Sequence, residues 1–215
     1  MSEAPGGSHS QQSTAVFLSN LYSLTGKVAV VTGATGVLGG AMANGLASAG
    51  ARVVILGRRV AVAERVAQAI TGRGGEAMVA AADVLERAEL EAVREVILGR
   101  WNTIDILVNA AGGTTQDSTV PVDKTIFDMP LESMQYVINL NVVGTLLPCQ
   151  IFGEVMASHG QGCIVNISSL AVPRAVTRAV AYSAGKAAME NFTRWLAVEL
   201  ATKFGAGLRV NAITP

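Results

Sequence analysis

Short β-branched apolar runs alternate along this chain with longer segments whose apolar residues recur every three or four positions. The first run, Val28-Ala29-Val30-Val31, predicts a strand over 28–31, and the Ala-rich stretch behind the following turn predicts a helix reaching 49. A strand over 53–56 and a helix over 60–70 come next, the helix with apolar residues at 62, 63, 66, 67 and 70. The alternation then repeats as strand 77–82 and helix 86–98, strand 104–109 and helix 131–156, strand 163–167 and helix 181–203, ending on a sixth strand over 208–213. Apolar strands each followed by a helix argue for a parallel sheet covered on both faces, a doubly wound α/β architecture. The reading is one domain over 16–215 behind a disordered tail, 1–15, rich in Ser, Gly and Gln.

Charge narrows the partners. Sixteen basic residues balance sixteen acidic ones with no basic block, so the chain has no electrostatic footprint for nucleic acid or an anionic membrane, and neither is expected. Two uncharged stretches long enough to test as membrane spans, 28–51 and 133–153, fail. The first is broken by six glycines, and the second carries Gln135, Asn139, Asn141, Pro148 and Gln150. The first basic residue is Lys27, which leaves no basic start for a targeting signal. Cys149 and Cys163 lie in apolar stretches without metal-ligand spacing, so no metal site is expected and the thiols suit a reducing cytoplasm. The long connection 112–130 leaves the carboxyl end of a central strand, where it should wall a substrate pocket.

The chemistry gathers in three places. Gly33, Gly36 and Gly39 sit between the first strand and first helix, where glycines permit a tight turn, close approach of backbone to a pyrophosphate and close helix packing. Tyr182 and Lys186 are four residues apart in a predicted helix and so share a face. A free phenol has a pKa near 10, and making it a proton donor poised near 7 needs about 4 kcal/mol of preferential phenolate stabilisation, part of which a fixed ammonium supplies. At the end of the second strand stands Gly57-Arg58-Arg59 with no acid, which favours the 2′-phosphate of NADP at Arg58 while leaving NAD possible. A hydrolase reading lacks support: Ser169 is not in a G-x-S-x-G elbow, and the only histidines are His9 and His159.

From residue 24 to the end the chain resembles the short-chain dehydrogenase/reductase family, Rossmann-type enzymes that interconvert alcohols and ketones with NAD or NADP. The matching segments are 32–39, Asp83-Val84, Asn109-Ala110-Ala111-Gly112, Asn141 to Gly144, Ile167-Ser168-Ser169, Tyr182 to Lys186 and Arg209-Val210-Asn211. The resemblance implies a catalytic tetrad of Asn141, Ser169, Tyr182 and Lys186. In it Tyr182 exchanges a proton with the substrate oxygen, Ser169 hydrogen-bonds that oxygen, Lys186 holds the nicotinamide ribose, and Asn141 positions a water. Ser168 is the nearest rival to Ser169. The resemblance also implies cofactor contacts from Gly33, Thr35, Gly36, Val37, Leu38 and Gly39, with Asp83 and Val84 flanking the adenine and Asn109, Ala110 and Gly112 lining the cleft. One departure is the two-residue gap between Gly33 and Gly36, where much of the family has three.

Segments 36–43, 147–153 and 191–199 look like the D-mannonate oxidoreductase (fructuronate reductase) branch, which implies a small polyol or sugar-acid substrate; a gluconate-type or 3-oxoacyl thioester reductase and a truncated, catalytically weak cofactor-binding protein are the alternatives. Arg174 and Arg178, between Ser169 and Tyr182, read equally as charge for a substrate carboxylate or as surface charges. The family further implies a homotetramer built on the helices 131–156 and 181–203. It also implies a substrate-covering segment and a seventh strand beyond Pro215, so the sequence reads as truncated after its sixth strand.

Overall fold

The computed structural model describes residues 14–215. The expected tail lies outside the described residues up to position 13, and its last two residues open a short helix, α1 (Thr14–Leu21), that the periodicity did not announce. Six strands follow in alternation with helices: β1 (Val28–Thr32), α2 (Val37–Ser48), β2 (Arg52–Leu56), α3 (Val60–Thr71), β3 (Glu76–Ala80), α4 (Arg87–Trp101), β4 (Ile106–Asn109), α5 (Leu131–His159), β5 (Gly162–Ile167), α6 (Val180–Phe204) and β6 (Leu208–Ile213). They form one parallel sheet in the order β3-β2-β1-β4-β5-β6. The order reverses between β1 and β4, which opens a crevice at the carboxyl ends of those two strands.

Alternation within each strand divides the core. Val28, Val30, Val54, Leu56, Leu107 and Ile164 pack on one face with residues of α4 and α5, while Ala29, Val31, Val53, Ile55 and Val108 pack on the other with Ala43 of α2 and Ala63 and Ile70 of α3. Strands buried on both faces read as continuous apolar runs, which is why the sheet was legible.

The helix α5 is long and apolar enough to cross a membrane by length and composition, and more than half of its most apolar stretch is buried. Val137, Gly144, Pro148, Cys149, Ile151 and Phe152 are among its buried residues, so its apolarity serves the core. Gly160, left-handed at φ 65, ends it three residues past the expected boundary.

Candidate active site

The first contribution comes from the turn after β1. Gly33 adopts φ +64, and a Cβ there would stand 2.6 Å from the Ala111 nitrogen and 2.7 Å from the Ala110 carbonyl, so only glycine lets the turn pass this close to the exit of β4. Gly36 donates to the Gly33 carbonyl at 2.9 Å and then serves as N-cap of α2 with no side-chain cap. First-turn N–H groups of α2 are thereby left for an anion.

A cleft of about 270 Å³ runs from this turn past Gly57, Arg58 and Arg59 to Ala82, Asp83 and Val84, and along Ala110, Ala111 and Gly112 to Leu140. It brings together Gly33, Thr35, Gly36, Arg58, Asp83, Val84, Ala110 and Gly112 among the sequence-predicted residues. Val37 and Leu38 stand exposed beside it on the first turn of α2, with Gly39 buried under the Gly33 carbonyl.

Asn109 is placed differently from the expectation that it lines this cleft. It is 2% exposed, and its amide donates to Asn166 Oδ1 at 2.9 Å and to the Cys149 sulfur at 3.2 Å. The reason is strand parity: Asn109 follows Val108, which faces α2, so its own side chain takes the α5 face. Burial pushes the Cys149 thiol up to about 12, only partly offset by the Asn109 amide, so this sulfur is an inert part of the core.

The two arginines after β2 divide their work. Arg59 donates to the Thr35 carbonyl at 2.7 Å and to its hydroxyl at 3.2 Å, strapping the glycine turn. Arg58 pairs with Asp83 at 3.2 Å; the Tyr136 hydroxyl and then Asp83 raise its pKa above the ordinary guanidinium value. Neither Arg59 nor Tyr136 was singled out as a site residue from the sequence. Two adjacent arginines are equivalent on paper, and the turn from β2 into α3 is what separates them.

Ser169, Tyr182 and Lys186 are outside the lining of this cleft; Lys186, 5% exposed, lies behind Gly112, where an added Cβ would stand 3.2 Å from the ammonium. Its ammonium donates to the Ile167 carbonyl at 2.7 Å and lies 5.8 Å from the centroid of the Tyr182 ring. Desolvation lowers its pKa to about 8. Asn141, fully buried, accepts from the Gly113 N–H at 3.1 Å and donates to the Gly113 and Val137 carbonyls at 2.8 Å, stapling the exit of β4 to α5. Ser169 follows β5, and its Oγ accepts from the Ala171 N–H at 3.2 Å, which leaves the hydroxyl proton free to be donated elsewhere. The rival Ser168 is turned away, its hydroxyl donating to Glu190 at 2.8 Å.

The long connection is ordered by its own hydroxyls. Ser118, fully buried, bonds with Thr114 and Thr115 at 2.9 and 3.0 Å, and a short 3-10 helix, Ile126–Asp128, is closed by a Thr125–Asp128 capping box. Arg178 clasps this connection: its N–H at Nε donates to the Val120 carbonyl at 2.7 Å, and the Val120 N–H donates to the Arg178 carbonyl at 2.9 Å. The clasp accompanies φ 71 at Arg178, unusual for a non-glycine residue, and engages the exposed guanidinium through Nε, leaving its terminal nitrogens toward solvent.

The short chain dehydrogenase family profile matches residues 27–215. An uncharacterized oxidoreductase, UxuB, of Bacillus subtilis is 41% identical over 201 residues, spanning 90% of this chain and 71% of its own length. The structure of a provisionally assigned D-mannonate oxidoreductase from Haemophilus influenzae with bound NAD superposes with a TM-score of 0.85 at 36% identity, covering 92% of this chain and 73% of that one. A metagenomic short-chain oxidoreductase in complex with NADP superposes at 0.80 and 32% identity, covering 89% and 83%.

Proposed function

The chain belongs to the short-chain dehydrogenase family, an NAD(P)-dependent oxidoreductase of alcohol and ketone groups, and from that premise we propose that it interconverts a small sugar acid and its keto form, of the D-mannonate/D-fructuronate type. The observation that carries the site is the buried Lys186 ammonium, fixed on the Ile167 carbonyl, 5.8 Å from the centroid of the Tyr182 ring and behind Gly112 of the cleft. The cleft fits a dinucleotide: a glycine turn that a Cβ would fill, an uncapped helix start for the pyrophosphate, and Asp83 and Val84 for the adenine. When bound there, the nicotinamide supplies or accepts the hydride. The chain's own residues manage the proton. Tyr182 gives it to, or takes it from, the substrate oxygen, Ser169 donates a hydrogen bond to that oxygen, and Lys186 biases the phenol and holds the ribose. Asn141 fixes Gly113 and keeps one Oδ1 lone pair for a water. We assign these roles to a single domain, 16–215.

The substrate class rests on the sequence likeness at 36–43, 147–153 and 191–199 and on the superposed Haemophilus structure. Arg174 and Arg178, both exposed between Ser169 and Tyr182 in the chain, are the cations proposed for a substrate carboxylate, Arg178 through the terminal nitrogens that its Nε clasp leaves unused. Screening NADPH and NADH oxidation against uronates, keto-gluconates and acetoacetyl thioesters tests this: D-fructuronate is expected to give the highest kcat/KM, and faster turnover of the thioester would overturn the sugar-acid reading.

NADP is the proposed preference, because β2 ends without a carboxylate and Arg58 stands in the cleft. Its Asp83 pairing keeps the guanidinium over the adenosine end, where a 2′-phosphate would compete with the carboxylate. Arg58→Ala is expected to weaken NADP(H) binding by about tenfold or more and to leave NAD(H) within about twofold, since charge-assisted contacts contribute about 1.5–3 kcal/mol. Equal losses for the two cofactors, measured by fluorescence titration, would refute the preference.

Lys186 sets a pH dependence. Its folded pKa, about 8, lies below the ordinary 10.5, so the unliganded protein loses this charge as pH rises through 8. The buried charge opposes folding below that pH, and the penalty fades as pH rises from 8 to 10.5. If cofactor binding requires the ammonium, the Kd for NADPH rises above pH 8, by up to about tenfold per unit. Lys186→Met should bind more weakly throughout and lose that dependence; an unchanged pH profile in the variant would remove Lys186 from cofactor binding.

Exposed Trp195, Val198 and Phe204 on α6 support the homotetramer as a proposal, and a stable monomer in light scattering at micromolar concentration would exclude it. Two free thiols suit a reducing cytoplasm.

A further inference from the structure

Three consecutive residues at the end of β5 are each bonded to a side chain of α6. The Asn166 amide donates to the Thr193 hydroxyl at 2.8 Å, the Ile167 carbonyl accepts from Lys186 at 2.7 Å, and the Ser168 hydroxyl donates to Glu190 Oε2 at 2.8 Å. Ser168 is 2% exposed, and its N–H donates to the Ile213 carbonyl of β6 at 2.7 Å. The second Glu190 oxygen takes the Arg194 guanidinium at 2.6 Å, so the carboxylate is held from both sides.

We propose that Ser168 and Glu190 are positioning residues for the reaction, setting where Ser169 and Lys186 stand with respect to Tyr182. The inference rests on the roles given above to Ser169, Tyr182 and Lys186. Ser169 lies past the last ladder residue of β5, Ile167, and the bond to its Oγ comes from Ala171, two residues on. Its place relative to α6 is therefore inherited from the residues just before it. Lys186 must share its ammonium between the Ile167 carbonyl and a bound ribose. The Ser168–Glu190 bond has no such second duty, and it keeps the strand end on α6 while Lys186 is engaged. Tyr182, Lys186, Glu190 and Arg194 follow at four-residue intervals along α6, so proton donor, cation, strut and brace share one face of the helix. A shift of an ångström in such a set costs about a hundredfold in rate.

The test follows the phenol itself. Ultraviolet difference titration of the full chain, with the Tyr182→Phe protein subtracted, reads the midpoint of Tyr182. Ser168→Ala and Glu190→Ala are each expected to move it by half a pH unit or more, Glu190→Ala at least as far because it also releases Arg194 and removes a charge, and the double variant no further than Glu190→Ala, because the Ser168 bond is lost in both. Ser168→Thr and Glu190→Gln keep a hydroxyl donor and a carbonyl acceptor and should titrate like wild type. With the ketone that the substrate screen selects, the alanine variants should lose about tenfold in kcat and leave the KM for the cofactor unchanged. An unmoved midpoint in both alanine variants, whatever their melting temperature, would overturn the proposal, as would conservative variants shifted as far as the alanine ones. The parent reading fails separately, if Tyr182→Phe retains turnover.

Discussion

Tyr182→Phe is expected to lower kcat by about a thousandfold while leaving NAD(P)H affinity within about twofold. The variant removes one hydroxyl from a half-buried ring and almost no packing, so α6 and the Lys186 contact to Ile167 stay in place. In the roles proposed above, what disappears is the proton that moves to or from the substrate oxygen, and a positioned general acid contributes about 10² to 10⁴ in rate. Ser169 remains and still donates to that oxygen, which explains why the expected residue of activity is above zero. Pre-steady-state mixing that resolves hydride transfer from cofactor binding makes the measurement. Turnover above a few per cent of wild type would show that another group carries the proton.

Gly33→Ala has the largest expected effect on the protein as a whole. The new Cβ would meet main-chain atoms of Ala110 and Ala111 at 2.6–2.7 Å, and alanine at φ +64 is strained before any contact is counted. Since the obstructing atoms are backbone, relief requires the β1 turn and the β4 exit to move apart, which deforms the phosphate site and the sheet at its centre. A loss of about 3 kcal/mol, or roughly 6–12 °C in Tm, is expected together with at least hundredfold weaker cofactor binding. Gly45→Ala provides the opposite sign twelve residues later. Gly45 is an exposed position of α2 whose Cβ would meet nothing within 4 Å, so the same substitution there should stabilise by about 0.5–1 kcal/mol. Equal effects at the two sites would contradict the steric account.

These two residues also mark what could be read before the structure. Gly33 and Tyr182 announce themselves because their chemistry is local: one needs a left-handed backbone behind a strand, the other a lysine one helical turn away. The sheet was equally legible because most of its strands are short apolar runs rich in Val and Ile; β3, with Val79 as its one β-branched residue, is the exception. Less legible were the ends of elements. Gly99 resembles a stop within α4, yet the helix continues to Trp101, whose indole N–H reaches Glu76 at 3.1 Å, and ends where Asn102 turns left-handed. Glu76 itself opens β3, one position before the expected strand 77–82, because pairing with Arg52 at 3.1 Å lets an acid start an edge strand, and β3 closes at Ala80, two positions early. Side-chain direction was the other gap. The motif that contains Asn109 places it near the cleft, but the parity of β4 sends it inward to Asn166, its partner in register on β5. Counting outward from Val108 would have shown this. The distinct duties of Arg58 and Arg59 arise from contacts more than twenty residues away in sequence, to Asp83 and Thr35, and no local pattern encodes them.

The clasp between Val120 and Arg178 has a consequence for how such an enzyme can diversify. It divides the long connection after β4 into a root, 113–119, knotted by its own hydroxyls beside Asn141, and a distal arm, 121–130, with its own capped turn. Because the root is tied on both sides, exchanges within the arm are expected to leave the Asn141–Gly113 bonds in place. On the reading that this connection walls the substrate pocket, selection for a new substrate and selection for intact proton transfer would act on separate stretches of the gene.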